Sequence, residues 1–283
     1  MCATCGCSDE RGARVIELGG EIGTQTHDHD RDDHSHGDDA HSHSHSHSHA
    51  ATETLVLEQR VLAKNDALAG ENRGWLRERG VVAVNLMSSP GSGKTTLLER
   101  TVRALGATTP VWVIEGDQET TFDAERIKAA GAPVLQINTG AGCHLDASML
   151  RAALGTLDPS TGVVLIENVG NLVCPALFDL GEDARVVIMS VTEGADKPLK
   201  YPHIFSSATL VVLNKIDLLP YVDFDIARFA HDVALVNADA ELLHVSATRG
   251  DGLSAWYDWL LTRRSGPTTG AEAQTAGVAR TRR

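Results

Sequence analysis

Residues 88–96 read Ser88-Ser89-Pro90-Gly91-Ser92-Gly93-Lys94-Thr95-Thr96. An apolar run at 82–87 stands before them and a helical pattern at 95–105 follows. Strand, glycine-rich loop and helix in that order make a phosphate loop, although Ser88 stands where the pattern usually begins with glycine. Gly91 and Gly93 free the backbone to wrap its N–H groups around phosphates, and the helix turns its positive end toward them. Lys94 would neutralise the β and γ phosphates and Thr95 would ligate Mg2+, with Ser92 and Thr96 in the same cradle. A plain glycine turn between strand and helix would not need the Gly-Lys-Thr triplet.

Working outward, short Val- and Ile-rich runs recur at 111–115, 134–138, 163–167, 186–191, 210–214 and 242–245. Runs of this kind are buried on both faces, as in a parallel sheet. Amphipathic stretches at 123–130, 146–157, 225–236 and 253–263 alternate with them. The order implies an α/β fold with a doubly wound, mostly parallel sheet and ligands at the carboxyl ends of the strands. A helical stripe at 54–80 leads into it and Gly80 ends that stripe. The expected organisation is a Cys/His-rich arm at 1–52, a phosphate-loop domain with its leading helix at 54–264, and a flexible tail at 265–283.

Asn214-Lys215-Ile216-Asp217 closes one of the strong apolar strands. A carboxylate at Asp217 can accept both the N1 and N2 donors of guanine, a pair that adenine lacks. Asn214 can reach the base edge, the stem of Lys215 can lie over the ring, and the Ser246-Ala247 loop can offer backbone N–H to the guanine O6. Two acids complete the strand ends: Asp117 in Glu115-Gly116-Asp117, and Glu167 before Asn168. Beside a phosphate site they suit Mg2+ coordination or the placing of a water, and with Lys94 they are the candidate catalytic groups. A helix-capping acid or a solvated loop charge is the plainer reading of each. No glutamine or arginine finger is evident, which implies slow intrinsic hydrolysis.

The chain has 283 residues, 38 acidic and 25 basic, for a formal charge of −13. That balance argues against a nucleic-acid binder, which needs a basic face. No apolar run approaches the roughly 20 residues that span a bilayer, and no signal-peptide core is present. The expected location is the cytoplasm, with reduced thiols. Residues 1–52 hold ten acids and three bases, and nine of the thirteen histidines lie between His27 and His49. So polar a stretch cannot bury enough surface to order itself, and is expected to be disordered. His27, His29, His34, His36, His41, His43, His45, His47 and His49 alternate mostly with Asp or Ser. Such a run offers many equivalent imidazole sets, which suits metal storage better than one defined geometry.

Cys2, Cys5 and Cys7 can meet on one soft cation, and Gly6 allows the tight turn between them. If Met1 is removed, the amine of Cys2 completes a set of three thiolates and one nitrogen. That set suits square-planar Ni2+ or tetrahedral Zn2+. Cys143-His144 and Cys174 lie on loops leaving the carboxyl side of the same sheet. Two thiolates and an imidazole can hold Zn2+ or Ni2+ with a fourth ligand from water or a second subunit. Spacing alone leaves equally open one buried cysteine and an unrelated exposed pair.

Seven motifs now stand in order: the Cys-Ala-Thr-Cys-Gly-Cys start, 88–96, 115–120, 140–145, 167–175, 192–202 and 214–217. With them the chain resembles the HypB family of metal-binding GTPases, the hydrogenase nickel-incorporation proteins. The resemblance implies a dimerising GTPase whose Cys143, His144 and Cys174 form a metal site at the dimer interface. It implies tight Ni2+ binding at Cys2, Cys5 and Cys7, and nickel storage in the His-rich run. It further implies a homodimer promoted by GTP and metal, a partner nickel accessory protein, and the hydrogenase large-subunit precursor as client. GTP binding would close the dimer around the metal, and hydrolysis would release the ion through the loop 167–174. Three rivals remain: a urease-directed nickel chaperone, a nickel or zinc buffer with a vestigial nucleotide site, and a partitioning-type ATPase, which Asp217 disfavours.

Overall fold

The computed structural model describes residues 14–17, 48–117, 121–140 and 142–264, with side chains from residue 59 onward. A long helix α1 (Ser48–Glu78) leads into strand β2 (Val81–Ser88), and a short strand β1 (Arg14–Glu17) lies upstream of both. Then come α2 (Lys94–Leu105), β3 (Val111–Asp117), α3 (Phe122–Ala130), β4 (Val134–Asn138), α4 (Ala147–Leu157) and β5 (Gly162–Glu167). The second half holds β6 (Ala184–Ser190), the short helices α5 (Lys197–Lys200) and α6 (Pro202–Ser206), β7 (Leu210–Asn214), α7 (Ile226–Val236), β8 (Glu241–His244) and α8 (Leu253–Arg264).

The sheet order is β1-β4-β3-β5-β2-β6-β7-β8. All neighbours run parallel except β1, which pairs antiparallel with β4. The phosphate-loop strand β2 therefore sits in the interior of the sheet, between β5 and β6. Its residues alternate between the two faces, as a strand must. Val84 and Leu86 join the core shared with α2, α3 and α8. Ala83 joins the α1 and α4 layer, and Met87 the α6 and α7 layer. Helices thus cover both faces, the doubly wound arrangement expected from the alternation of runs.

Differences from expectation are local. Within the stretch expected to lack regular structure, Arg14–Glu17 form an edge strand, and α1 starts at Ser48. Asp146 and Asp225 stand just outside their helices as caps: their side chains accept from Met149 N and Arg228 N. A short carboxylate there satisfies an amide that the helix leaves open. Asn85 and Gln136 lie fully buried inside strands otherwise rich in apolar residues. Asn85 Nδ2 donates to Glu182 Oε1 at 3.3 Å, and its Oδ1 accepts from Asn168 Nδ2 at 3.2 Å.

Candidate functional site

The carboxyl ends of β2, β3 and β5 converge on a cavity of about 570 Å3. The phosphate loop forms one wall. Gly91 and Gly93 hold φ of +75° and +98°, a conformation that favours glycine. At Gly93 a Cβ would also lie 2.5 Å from Asn214 Nδ2. Lys94 is buried, and its Nζ donates to Ser88 Oγ at 2.7 Å. The serine in the first-glycine position therefore holds the phosphate lysine. Burial pulls the Lys94 ammonium below its ordinary pKa, and Glu167 opposes that fall.

Opposite stand the acids. Thr95 Oγ1 donates to Glu167 Oε1 at 2.9 Å. Burial lifts Glu167 to about 7, against the pull of Lys94 and the Thr95 bond. Glu115 is driven up to about 9, first by burial and then by the charge of Glu167. Oε2 of each is buried without a hydrogen-bond partner among the described residues. Asp117 and Asp123 line the same cavity. Two orphaned carboxylate oxygens beside a threonine hydroxyl fit a hard divalent cation such as Mg2+. Glu115 was not singled out from the sequence, because a strand-interior acid gives no periodic signal.

Arg126 was missed as well. It lines the cavity from α3, where its charge reads as an ordinary solvated helix face. Its Nη2 donates to Thr96 Oγ1 at 3.3 Å.

The residues expected to recognise the base lie beyond the cavity wall and are joined to it by Lys215, whose Nζ donates to Gly91 O at 2.6 Å. Asn214 is buried and engaged: Nδ2 donates to Ser92 O, and Oδ1 accepts from Lys215 N and Ala247 N. It ties three loops together here rather than offering a free base contact. Ser246 N and Ala247 N both donate within the protein, to Asp251 O and Asn214 Oδ1. Asp217 Oδ1 accepts from Ser246 Oγ at 2.6 Å, and Arg249 Nε lies 3.8 Å from Oδ2. A carboxylate with these partners is penalised less by adenine than an isolated one would be.

The structure brings Cys143, His144 and Cys174 together. Their candidate ligand atoms all lie within 4.8 Å of one another, and Cys143 Sγ is 3.6 Å from His144 Nδ1. Metal–ligand lengths of about 2.3 Å for sulfur and 2.0–2.1 Å for nitrogen put donors on one tetrahedral ion roughly 3.5 Å apart. Burial lowers the His144 pKa, opposed by Asp146, and so favours the neutral ring that binds metal. Phe178 stacks on that ring at 3.9 Å between centroids. Cys143 also lines the phosphate cavity, so the two sites adjoin. Cys2, Cys5, Cys7 and His27 to His47 lie outside the described residues, as does the side chain of His49.

The family described as CobW/HypB/UreG, nucleotide-binding domain, matches residues 82–244. The chain is 54% identical over 211 residues to the hydrogenase maturation factor HypB of Azotobacter vinelandii, covering 74% of this chain and 70% of that protein. It is 53% identical to the HypB of Escherichia coli strain K12, covering 74% and 73%. Among solved structures, HypB of Archaeoglobus fulgidus is similar at a TM-score of 0.68 and 42% identity, over 71% of this chain and 99% of that one. HypB of Helicobacter pylori in complex with nickel is similar at 0.68 and 36%, over 71% and 95%.

Proposed function

We propose a mechanism from one premise: the chain belongs to the CobW/HypB/UreG family and, within it, to the hydrogenase maturation factors HypB, a family of nickel-binding GTPases. In our reading, GTP lies in the cavity with its phosphates on residues 91–96. Lys94 carries the β and γ phosphates. Thr95, with Asp117 and Glu167, holds Mg2+ or orients the attacking water. Mg2+ would supply Lewis-acid stabilisation of the charge on the transferred phosphoryl group. Asp217 selects guanine, while Asn214, Lys215, Ser246 and Ala247 shape its pocket.

Nickel is the cargo. Cys143, His144 and Cys174 hold Ni2+ or Zn2+ at a homodimer interface that GTP and metal promote. Cys2, Cys5 and Cys7 take up Ni2+, and the histidine run His27–His49 stores it. The protein works in the cytoplasm with a nickel accessory protein and delivers to the hydrogenase large-subunit precursor. Among the described residues no helix is long and apolar enough to cross a membrane.

The observation that carries this reading is the shared wall: one cavity is lined by Gly93, Lys94 and Thr95 and also by Cys143. Nucleotide occupancy can therefore alter the metal site directly. The test follows thiolate-to-Ni2+ charge-transfer absorption in the full chain, with GDP and with a non-hydrolysable GTP analogue. Wild type should differ between the two nucleotides, and Cys174→Ser should abolish the difference. Identical spectra for wild type in both states would reject the coupling.

A further inference from the structure

Arg126 is the only arginine among the described residues that line the phosphate cavity. Its guanidinium is held by two carboxylates: Nη2 donates to Glu99 Oε2 and Nη1 to Asp123 Oδ1, both at 2.9 Å. Nη2 also reaches Thr96 Oγ1, one residue beyond Thr95. The side chain is 44% exposed and Asp123 42%, whereas Glu99 is 17% exposed. The pair with Asp123 is weakly held at such exposure, because water screens it and both side chains lose freedom, while the pair with Glu99 is the more sheltered tie. A phosphate chain is a stronger partner, since a planar guanidinium can give it two parallel charge-assisted bonds.

The cavity needs that charge. Four carboxylates line it, Glu115, Asp117, Asp123 and Glu167. Of the lysines, Lys94 Nζ is held by Ser88 and Lys215 Nζ donates to the Gly91 carbonyl of the phosphate loop, so Arg126 is the third cation lining the cavity and the one with a planar fork among the described residues. A nucleoside triphosphate adds several negative charges to this cavity, and a guanidinium at its rim can take part of them.

We propose that Arg126 is a nucleotide-binding residue whose guanidinium leaves Glu99 and Asp123 to take the phosphates of GTP. The proposal rests on the reading of this cavity as the GTP site. In the nucleotide-free state Glu99 and Asp123 keep the arginine beside Thr96 and compete with the ligand for it. Lysine cannot replace it fully, because an ammonium lacks the planar fork.

The test measures affinity for fluorescent GDP and a non-hydrolysable GTP analogue, with steady-state GTP turnover, on the full chain. Arg126→Ala should weaken binding or slow turnover by roughly ten- to a hundredfold, the worth of a charge-assisted hydrogen bond. Equal losses for GDP and GTP put the contact on the α and β phosphates, whereas a loss confined to GTP or to kcat puts it on the γ phosphate. Arg126→Lys should recover only part. Glu99→Gln separates this role from a merely structural tie between α2 and α3. It removes one of the two charges that hold the arginine, so affinity should hold or rise, whereas a structural tie would make it mimic Arg126→Ala. Arg126→Ala within twofold of wild type in affinity and kcat, or Glu99→Gln matching its defect, would overturn the proposal. No nucleotide binding by wild type would overturn the cavity reading and this proposal with it.

Discussion

The backbone N–H of Leu145 donates to Oδ1 of Asn168 across 3.2 Å. This bond ties the residue after Cys143-His144 to the residue after Glu167. The same oxygen accepts from Val169 N at 3.0 Å, and Nδ2 donates to Asn85 Oδ1. Asn168 is buried, so Asn168→Ala strands these groups without water. A loss of about 3 kcal/mol is expected in urea denaturation. Ni2+ affinity at Cys143, His144 and Cys174 should fall in the folded variant, because the loop carrying two of its ligands loses its anchor. Unchanged metal affinity would remove Asn168 from the link between the sites.

A steric contact runs beside that bond. A Cβ on Gly116 would lie 2.8–2.9 Å from three carbons of the Leu145 side chain. Gly116→Ala should push Leu145 aside, and with it His144, weakening metal binding while leaving Lys94 and Thr95 in place. Trimming the neighbour in a Gly116→Ala/Leu145→Val double variant should restore part of the affinity. Additive effects of the two changes in metal titrations would show that the contact is not the cause.

Much of this arrangement could be read from the residues, and the remainder could not for physical reasons. Strands buried on two faces reveal themselves as apolar runs, so β2 to β7 were legible; β8 was found from Leu242 and Leu243 but, as an edge strand with exposed ends, it is not buried on both faces as its run implied. The edge strand Arg14–Glu17 was not, since four residues in an acidic, polar stretch carry too little pattern. Lys94 and Thr95 follow from a local motif. Cys143, His144 and Cys174 come from two loops far apart in sequence, and only the shared sheet edge brings them within 4.8 Å. Ser88 was visible as a departure from the phosphate-loop pattern, but its bond to Lys94 needs the turn of the loop. Arg126 was hidden for the opposite reason: a charged residue on a helix face is ordinary until the fold shows what that face meets.

The raised acids make a pH prediction. In the ligand-free protein Glu167 sits at about 7 and Glu115 at about 9, each above the ordinary 4.5. The folded state then holds protons that the unfolded chain has released. The contribution of these groups is fully present below about pH 4.5 and is lost as pH rises through 7 and toward 9. Glu115→Gln should flatten that decline in urea denaturation between pH 5 and 9 without Mg2+. Saturating Mg2+ with nucleotide should weaken the same trend, because a bound cation favours the charged carboxylates. A ligand-free stability that rises across this range in wild type and in Glu115→Gln alike would contradict the assignment.

Asn214 offers a sharper division. Its amide gives one bond to the phosphate loop, at Ser92 O, and accepts two from the base side, from Lys215 N and Ala247 N, at 2.8–3.0 Å. Asn214→Ala leaves all three partners unpaired in a buried position, so a stability loss of several times about 1 kcal/mol is expected together with weaker nucleotide binding. Asn214→Asp keeps an acceptor for the two amides but turns the Nδ2 donor into an oxygen facing the Ser92 carbonyl. The base loops should stay in register while the phosphate loop is repelled. GDP affinity should therefore fall by at least about tenfold in the Asp variant, with a smaller loss of stability than in the Ala variant. Denaturation midpoints and GDP titrations on both variants decide the matter. An Asp variant that binds GDP as wild type does would show that the Ser92 bond does not hold the phosphate loop in its binding form.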